Sequence, residues 1–172
     1  MNIVDALRRG KQRLSNSESA NLDTEVLLCY CLKCERSKLY SHPEQTLSDN
    51  EIKSFDSLIT LRTEGYPVAH LTHEKEFWSL ILHISKETLI PRPETELLVE
   101  TALTLIPRNV KKNILDLGTG SGAIAVAIAS ERPDIKLTAT DISHEALKIA
   151  KRNAESNNIE NIEFKKANWL NI

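Results

Sequence analysis

The feature that most constrains this chain is the stretch Asn113–Ala125, N-I-L-D-L-G-T-G-S-G-A-I-A. Ile114, Leu115 and Leu117 form an apolar run too short for a helix, which fits a buried strand of a parallel sheet. The run ends in Gly118-Thr119-Gly120-Ser121-Gly122, and Ile124, Val126, Ala127 and Ile128 then resume at helical spacing. The predicted order is strand, glycine turn, helix. Three glycines in five residues let the backbone bend sharply and let a ligand approach the main chain. The N–H groups opening the following helix are expected to be unpaired and to face that ligand.

The spacing discriminates between ligands. A dinucleotide fingerprint is G-x-G-x-x-G, in which backbone amides meet a pyrophosphate. Here the glycines are spaced G-x-G-x-G, and Asp116 stands just before them. An acid beside the loop opposes a pyrophosphate and suits a cationic amine. A second acid, Asp141, ends the next apolar run, Lys136–Asp141. In units of this kind an acid ~20 residues on accepts hydrogen bonds from ribose hydroxyls. A nucleoside with a positively charged tail satisfies both acids, and S-adenosylmethionine fits. NAD and a ligand-free glycine turn are the two competing readings.

Leu115–Ala123, followed by Thr140-Asp141-Ile142-Ser143, resembles motifs I and II of class I methyltransferases. Gly65-Tyr66-Pro67-Val68-Ala69-His70-Leu71, Glu76-Phe77-Trp78-Ser79 and Leu89-Ile90-Pro91-Arg92-Pro93-Glu94-Thr95-Glu96 resemble a narrower family. That family is the PrmC/HemK protein-(glutamine-N5) methyltransferases, which act on peptide-chain release factors. The resemblance runs from about Gly65 to Trp169, and P-R-P-E-T-E is its most specific part. It implies S-adenosyl-L-methionine as cofactor and a release factor as protein partner. It also implies a cofactor site drawn from Asp116, Gly118, Thr119, Gly120, Ser121, Gly122, Asp141, Asn168 and Trp169. At Asn168 the family usually has Asp, close to the adenine; Asn can still accept a bond from the adenine amino group, and it also donates. Trp169 offers an apolar face for the ring, with ordinary packing as the alternative. The family's loop beside the cofactor makes Arg92 and Glu94 candidate cleft residues.

Composition narrows the class. Hydrophobic residues are 41% and charged residues 27%, ordinary for a soluble globular protein. A formal net charge of −2 gives no chain-wide attraction to nucleic acid or anionic membrane. No apolar run approaches the ~20 residues of a membrane span. Arg8, Arg9, Lys11 and Arg13 precede no apolar core, so they read as a solvated helix face rather than a secretory signal. Cys29, Cys31 and Cys34 are odd in number and closely spaced, which argues for a reducing compartment, and the expected location is the cytoplasm. On a helix only Cys31 and Cys34 share a face, so a metal site is not expected.

In chain order, Asn2–Leu14 reads as an amphipathic helix and Asp23–Lys33 as a second, capped by Asn21 or Asp23. Ser37–His42 reads as a short turn. Ser48, with Glu51 three residues on, predicts a capping box for a third long helix that Gly65 ends. Phe77–Ser85 alternates as a β-hairpin. There Phe77 and Trp78 line either the cleft or the core, while His70, His73 and His83 show no metal-ligand pattern. Thr95 starts a helix with Leu97, Leu98, Val99, Ala102, Leu103 and Leu105 on its apolar side, and Glu94 and Glu96 favour its first turn. Ser143 caps another helix, and Ile162–Lys166 is a third strand. The expected fold is α/β: a helical substrate-recognition domain over 1–73, a β-hairpin linker over 74–90, and over 91–172 the N-terminal half of a Rossmann-like class I methyltransferase domain.

Amide-methylating members of this family carry N-P-P-Y after a fourth strand, where an Asn side chain and a backbone carbonyl accept the amide hydrogens. An amide nitrogen is a poor nucleophile because its lone pair is delocalised, so catalysis is chiefly positioning. N-P-P-Y occurs nowhere in these 172 residues, so no catalytic residue is assigned within the chain. The expectation is the cofactor half of a longer enzyme, inactive by itself. An adenine-N6 or other amide methyltransferase, and a cofactor-binding or partner-binding module without catalysis, are the alternatives.

Overall fold

A computed structural model describes residues 1–169; positions 170–172, the end of the expected third segment, lie outside the described residues. The chain divides into two compact units, Met1–Thr72 and His73–Ile172.

The first unit is helical: α1 (Ile3–Arg13), α2 (Ala20–Leu32), α3 (Arg36–Ser41), α4 (Asp49–Thr63) and α5 (Val68–Thr72). Asn2 caps α1 by accepting the Asp5 N–H at 2.9 Å. Ser48 and Glu51 form the full capping box of α4. The second helix starts earlier than its apolar spacing predicts, with Ser19 rather than Asn21 or Asp23 at its N-cap. Asp23 lies inside the helix because it has a tertiary partner, Arg62 of α4, whose Nε donates to it at 2.8 Å. The expected solvated face of α1 is also partly engaged, since Arg9 pairs with Asp56 at 2.9 Å and Arg13 donates to Thr60 at 2.7 Å. The helix ends at Leu32, and Lys33 adopts φ 48°, so Cys34 turns back and donates its N–H to the Cys29 carbonyl. Cys34 therefore does not extend the helical face of Cys31. Burial, with Cys34 as a lesser cause, pushes the Cys29 thiol up to about 12, and burial pushes Cys31 up to about 11. No metal-binding group of three or more His, Cys, Asp or Glu occurs among the described residues.

The second unit contains the hairpin β1 (Glu74–Phe77) and β2 (Leu80–His83), then α6 (Thr95–Leu105), β3 (Asn113–Leu117), α7 (Ala123–Glu131), β4 (Lys136–Asp141), α8 (His144–Ser156) and β5 (Ile162–Lys166). The three later strands form a parallel sheet in the order β3-β4-β5, with Leu115 opposite Thr138 and Ala139 opposite Phe164. This is a helical region followed by an α/β unit in which parallel strands alternate with helices, as in a Rossmann-like arrangement. Phe77, Leu82, Val99, Val126, Leu137 and Ala139 lie in one buried cluster, so the hairpin expected as a linker supplies part of this unit's core. Its turn, Trp78-Ser79, has φ 54° and 57°, the sense that matches strand twist. Neither residue is glycine, and the turn is held by Glu96, which accepts the Trp78 N–H at 2.9 Å.

Two burial expectations are corrected. On α6 only Val99 is buried, while Leu97, Leu98 and Leu105 are exposed. On β3, Leu115 and Leu117 are exposed as well. Among the described residues the strand pairs with β4 on one side only.

Gly10 explains how closely the helices of the first unit pack. A Cβ there would stand 2.5 Å from Thr24 Cγ2 and 3.0 Å from Phe55 Cζ. Thr24 and Phe55 are themselves fully buried, so neither can swing away. Helix propensity alone would favour alanine over glycine by ~1 kcal/mol. Overpacking reverses that sign: Gly10→Ala is expected to destabilise the protein by about 1–3 kcal/mol in urea unfolding. A more stable variant would show that the helices can separate freely.

Candidate functional site

Parallel strands carry their ligand sites at their carboxyl ends, and the residues predicted from Asp116 to Gly122, with Asp141, Asn168 and Trp169, lie there. Asp116 is next to last in β3, Asp141 ends β4, and Asn168 follows β5 by two residues. The loop 118–122 is built by hydrogen bonds across the end of the sheet. The N–H groups of Gly118 and Thr119 both donate to the Thr140 carbonyl, at 2.9 and 2.8 Å. The Gly120 N–H donates to Asp141 Oδ2 at 2.9 Å, and the Gly122 N–H to the Thr119 carbonyl at 2.8 Å. The other oxygen of Asp141 accepts the Ser143 N–H at 2.9 Å, just before α8. Asp141 is thus a clamp between the glycine loop and the start of a helix, a role that its spacing alone did not reveal.

The three glycines serve two purposes. Gly118, Gly120 and Gly122 have φ of 74°, 56° and 81°, a region in which side chains are strained. A Cβ on Gly122 would lie 2.9 Å from the Ala150 Cβ, so this glycine admits α8. A Cβ on Gly118 or Gly120 would meet nothing within 4 Å. Those two present bare backbone to open space. Four of the five loop amides, those of Gly118, Thr119, Gly120 and Gly122, are satisfied internally. A pyrophosphate approaching this loop would find few donors and a carboxylate beside them.

That carboxylate is the most unusual group in the unit. Asp116 Oδ2 is buried and has no hydrogen-bond partner among the described residues, and neither has the hydroxyl of Thr119. Burial holds the Asp116 carboxyl above its ordinary range, and the charge of Asp141 adds to this. The nearby Thr119 hydroxyl pulls the other way, although the two side chains make no hydrogen bond of full geometry. A desolvated acid without a partner is costly unless something cationic completes it.

The remaining expected residues divide. Ala167 donates its N–H to the Asp141 carbonyl at 3.1 Å, which brings Asn168 and Trp169 to the same edge of the sheet; both are exposed, Trp169 at 68%. Phe77 is in the core, and the Trp78 ring N–H donates to Glu131 at 3.2 Å. Arg92 and Glu94 are exposed. A cavity of about 160 Å³, lined by Pro107, Arg108, Val110, Glu131, Pro133 and Ile135, lies beside the entries to β3 and β4 and contains none of the site residues.

Comparisons with known proteins bear on the family. A PrmC N-terminal domain model matches residues 5–72, and a methyltransferase small domain model matches residues 93–171. The release factor glutamine methyltransferase of Shewanella oneidensis is 47% identical over 169 residues, covering 98% of this chain and 59% of that protein. The enzyme of the same name from Aliivibrio fischeri is 45% identical over 172 residues (99% of this chain, 60% of its own), and that from Escherichia coli is 45% identical over 164 (95% and 59%). The chain joins a PrmC N-terminal domain to a methyltransferase small domain. It spans about 60% of the length of these curated relatives. The helical unit coincides with the PrmC N-terminal match, and the three-stranded sheet lies inside the methyltransferase match.

The two kinds of glycine give different expected phenotypes. Gly118→Ala adds a methyl group to open space, so it costs only the backbone strain of ~1–2 kcal/mol while blocking ligand approach. Gly122→Ala strains the backbone equally and also drives a methyl into Ala150. Thermal melts should therefore show Gly122→Ala as the less stable variant. Equal melts would mean that α8 does not press on the loop.

Proposed function

We propose that this chain supplies the cofactor half of an S-adenosyl-L-methionine-dependent methylation of the side-chain amide of a glutamine in peptide-chain release factors. The cytoplasm, where translation terminates, is its setting, and no nucleic-acid or membrane contact is part of this reading. No helix among the described residues is long and apolar enough to cross a membrane. The observation that carries the proposal is Asp116: a buried, unpartnered carboxylate oxygen beside two glycines that face open space.

The residues present fit the cofactor. Asp116 suits its ammonium, the bare backbone of Gly118 and Gly120 admits close approach, and the lone pairs of Asp141 left free by the Gly120 and Ser143 N–H groups suit ribose hydroxyls. Thr119, Ser121, Gly122, Asn168 and Trp169 complete the proposed site, with the Trp169 ring as a face for adenine. When bound, the cofactor supplies an electrophilic methyl group. The chain's own task is to bind and orient; positioning can lower a barrier by about 7–11 kcal/mol. N-P-P-Y, the motif that in the family supplies acceptors for the amide hydrogens of the glutamine, is absent from these 172 residues. The helical unit is proposed to dock the release factor.

S-adenosylhomocysteine is expected to raise the melting temperature of the chain by binding its native state, and NAD is expected not to. The reverse ranking would replace the methyltransferase reading with a dehydrogenase-like one. Incubation of the 172 residues with labelled S-adenosylmethionine and an intact release factor is expected to transfer no label. Transfer above the no-enzyme control would show that N-P-P-Y is dispensable.

Asp116 also predicts opposite signs for stability and binding. Its folded pKa is raised, so the folded state holds the proton more tightly than the unfolded state does. The ionised form therefore costs stability above the raised value, and acidification towards the ordinary value recovers it. Affinity for a cationic tail falls over the same interval. Asp116→Asn is expected to raise the melting temperature by roughly 2–4 °C, as ~1 kcal/mol would for a chain of this size. It is expected to weaken S-adenosylhomocysteine by about tenfold or more, the loss of a charge-assisted bond of ~1.5–3 kcal/mol. Calorimetry and melting curves on one preparation test both signs. A variant less stable and unchanged in affinity would remove Asp116 from the site.

The clamp at Asp141 gives a second binding test. Asp141→Ala removes both backbone bonds as well as the ribose partner, so the affinity loss should reach ~10- to 150-fold. Unchanged affinity by calorimetry would place the ribose elsewhere.

A further inference from the structure

We propose that Asn153 is the positioning residue of the glycine loop and that through it the β1–β2 hairpin sets the loop for ligand binding. The cofactor readout below rests on the proposed function, while the loop readout does not.

Asn153 lies on α8 and is fully buried. Its Oδ1 accepts the His83 N–H at 2.6 Å, and its Nδ2 donates to the His83 carbonyl at 3.0 Å. With these two bonds the side-chain amide does for β2 what a neighbouring strand would do. One turn further along, Asn157 Nδ2 donates to the Ile81 carbonyl at 3.1 Å. Ile81 and His83 are two residues apart on one edge of the hairpin, so α8 covers an edge that β1 does not pair.

The second hydrogen of Asn153 Nδ2 goes to the Ser121 carbonyl at 2.8 Å. That carbonyl belongs to the peptide between Ser121 and Gly122, whose N–H is already held by the Thr119 carbonyl. The peptide is therefore pinned at both ends. Glycine at φ 81° offers little resistance of its own to a turning peptide plane, so the two bonds fix its orientation. Ala150, three residues before Asn153 on the same helix, presses on Gly122 and fixes its distance. Both amide hydrogens of Asn153 are thus used, one on the hairpin and one on the loop. A displacement of the hairpin cannot keep both bonds unless the loop follows.

The test uses the whole chain, ¹⁵N-labelled, with S-adenosylhomocysteine as the probe. Asn153→Asp keeps an acceptor for the His83 N–H and removes both donors. Asn157→Ala removes a hairpin contact and a bond to the Asn153 main-chain carbonyl, and it removes no bond to the loop. In Asn153→Asp, amide exchange at Gly122 should accelerate at least about tenfold relative to Leu137 and Ala139 in the sheet, and Kd should rise about tenfold or more. In Asn157→Ala both should stay within about twofold, a change of less than half a kcal/mol. Equal acceleration in loop and sheet would make Asn153 a general staple of the fold and overturn the proposal; so would faster loop exchange with unchanged Kd. If Asn153→Asp does not fold, the unaltered chain decides. Titration should shift the Asn153 side-chain amide resonances in step with those of Gly120 and Gly122, and loop shifts without an Asn153 shift would overturn it. If the probe binds nowhere on the loop, the proposed function fails, and the exchange ratio alone decides the role of Asn153.

Discussion

The Thr140 carbonyl is the point on which the candidate site depends. It accepts two successive N–H groups, from Gly118 and Thr119, where the chain leaves β3 and crosses the end of β4. That crossing requires φ of 74° at Gly118, and glycine supplies it without a steric penalty. Once the loop is anchored there, the next residue of β4, Asp141, is within reach of Gly120 and Ser143. One strand end thus holds the loop, the start of α8 and, through the Asp141 carbonyl, the chain beyond β5. The parallel register does most of this through backbone bonds, and the side chains of Asp141 and Asn153 add the long-range contacts to the loop.

Much of this was legible in the sequence because it is local. The strands Lys136–Asp141 and Ile162–Lys166 have the ends expected from their apolar runs and turn residues, and the Ser48–Glu51 box follows from a three-residue spacing. The glycine loop and its two flanking acids were visible for the same reason. Features decided by a distant partner were not. Asp23 resembles an N-cap until Arg62 claims it. Leu97, Leu98 and Leu105 have a helical apolar period, but period alone does not say whether anything covers them. Cys34 leaves the helical face because Lys33 turns left-handed, a conformation its sequence does not announce. Asn153 is one polar residue in a helix, and only its partners at positions 83 and 121 distinguish it from a solvent-facing one.

The site also separates the two functions that a glycine-rich turn can serve. In a dinucleotide unit the loop amides are the ligand's donors. In this loop the amides of Gly118, Thr119, Gly120 and Gly122 are consumed in shaping the turn. Under the proposed function, recognition falls to side chains at the strand ends and to open backbone faces. Such a site favours a ligand that brings its own donors, as an ammonium and a ribose do.

The first unit shows how the same chain treats buried acids that are structural. Asp23 and Glu25 are both nearly inaccessible, and both are paired: Asp23 with Arg62 and Ser19, Glu25 with Arg36 and the Tyr40 hydroxyl. These pairs join α2 to α4 and α2 to α3, and pairing is what makes the burial of a charge tolerable. Asp116 receives no such treatment. Its Oδ2 is enclosed, its close acidic neighbour is Asp141, and the Thr119 hydroxyl beside it forms no bond. A residue needed only for packing at that position would cost less as Asn, Ser or Val. Under the proposed function, the ammonium of the cofactor supplies the positive charge that Asp116 lacks among the described residues.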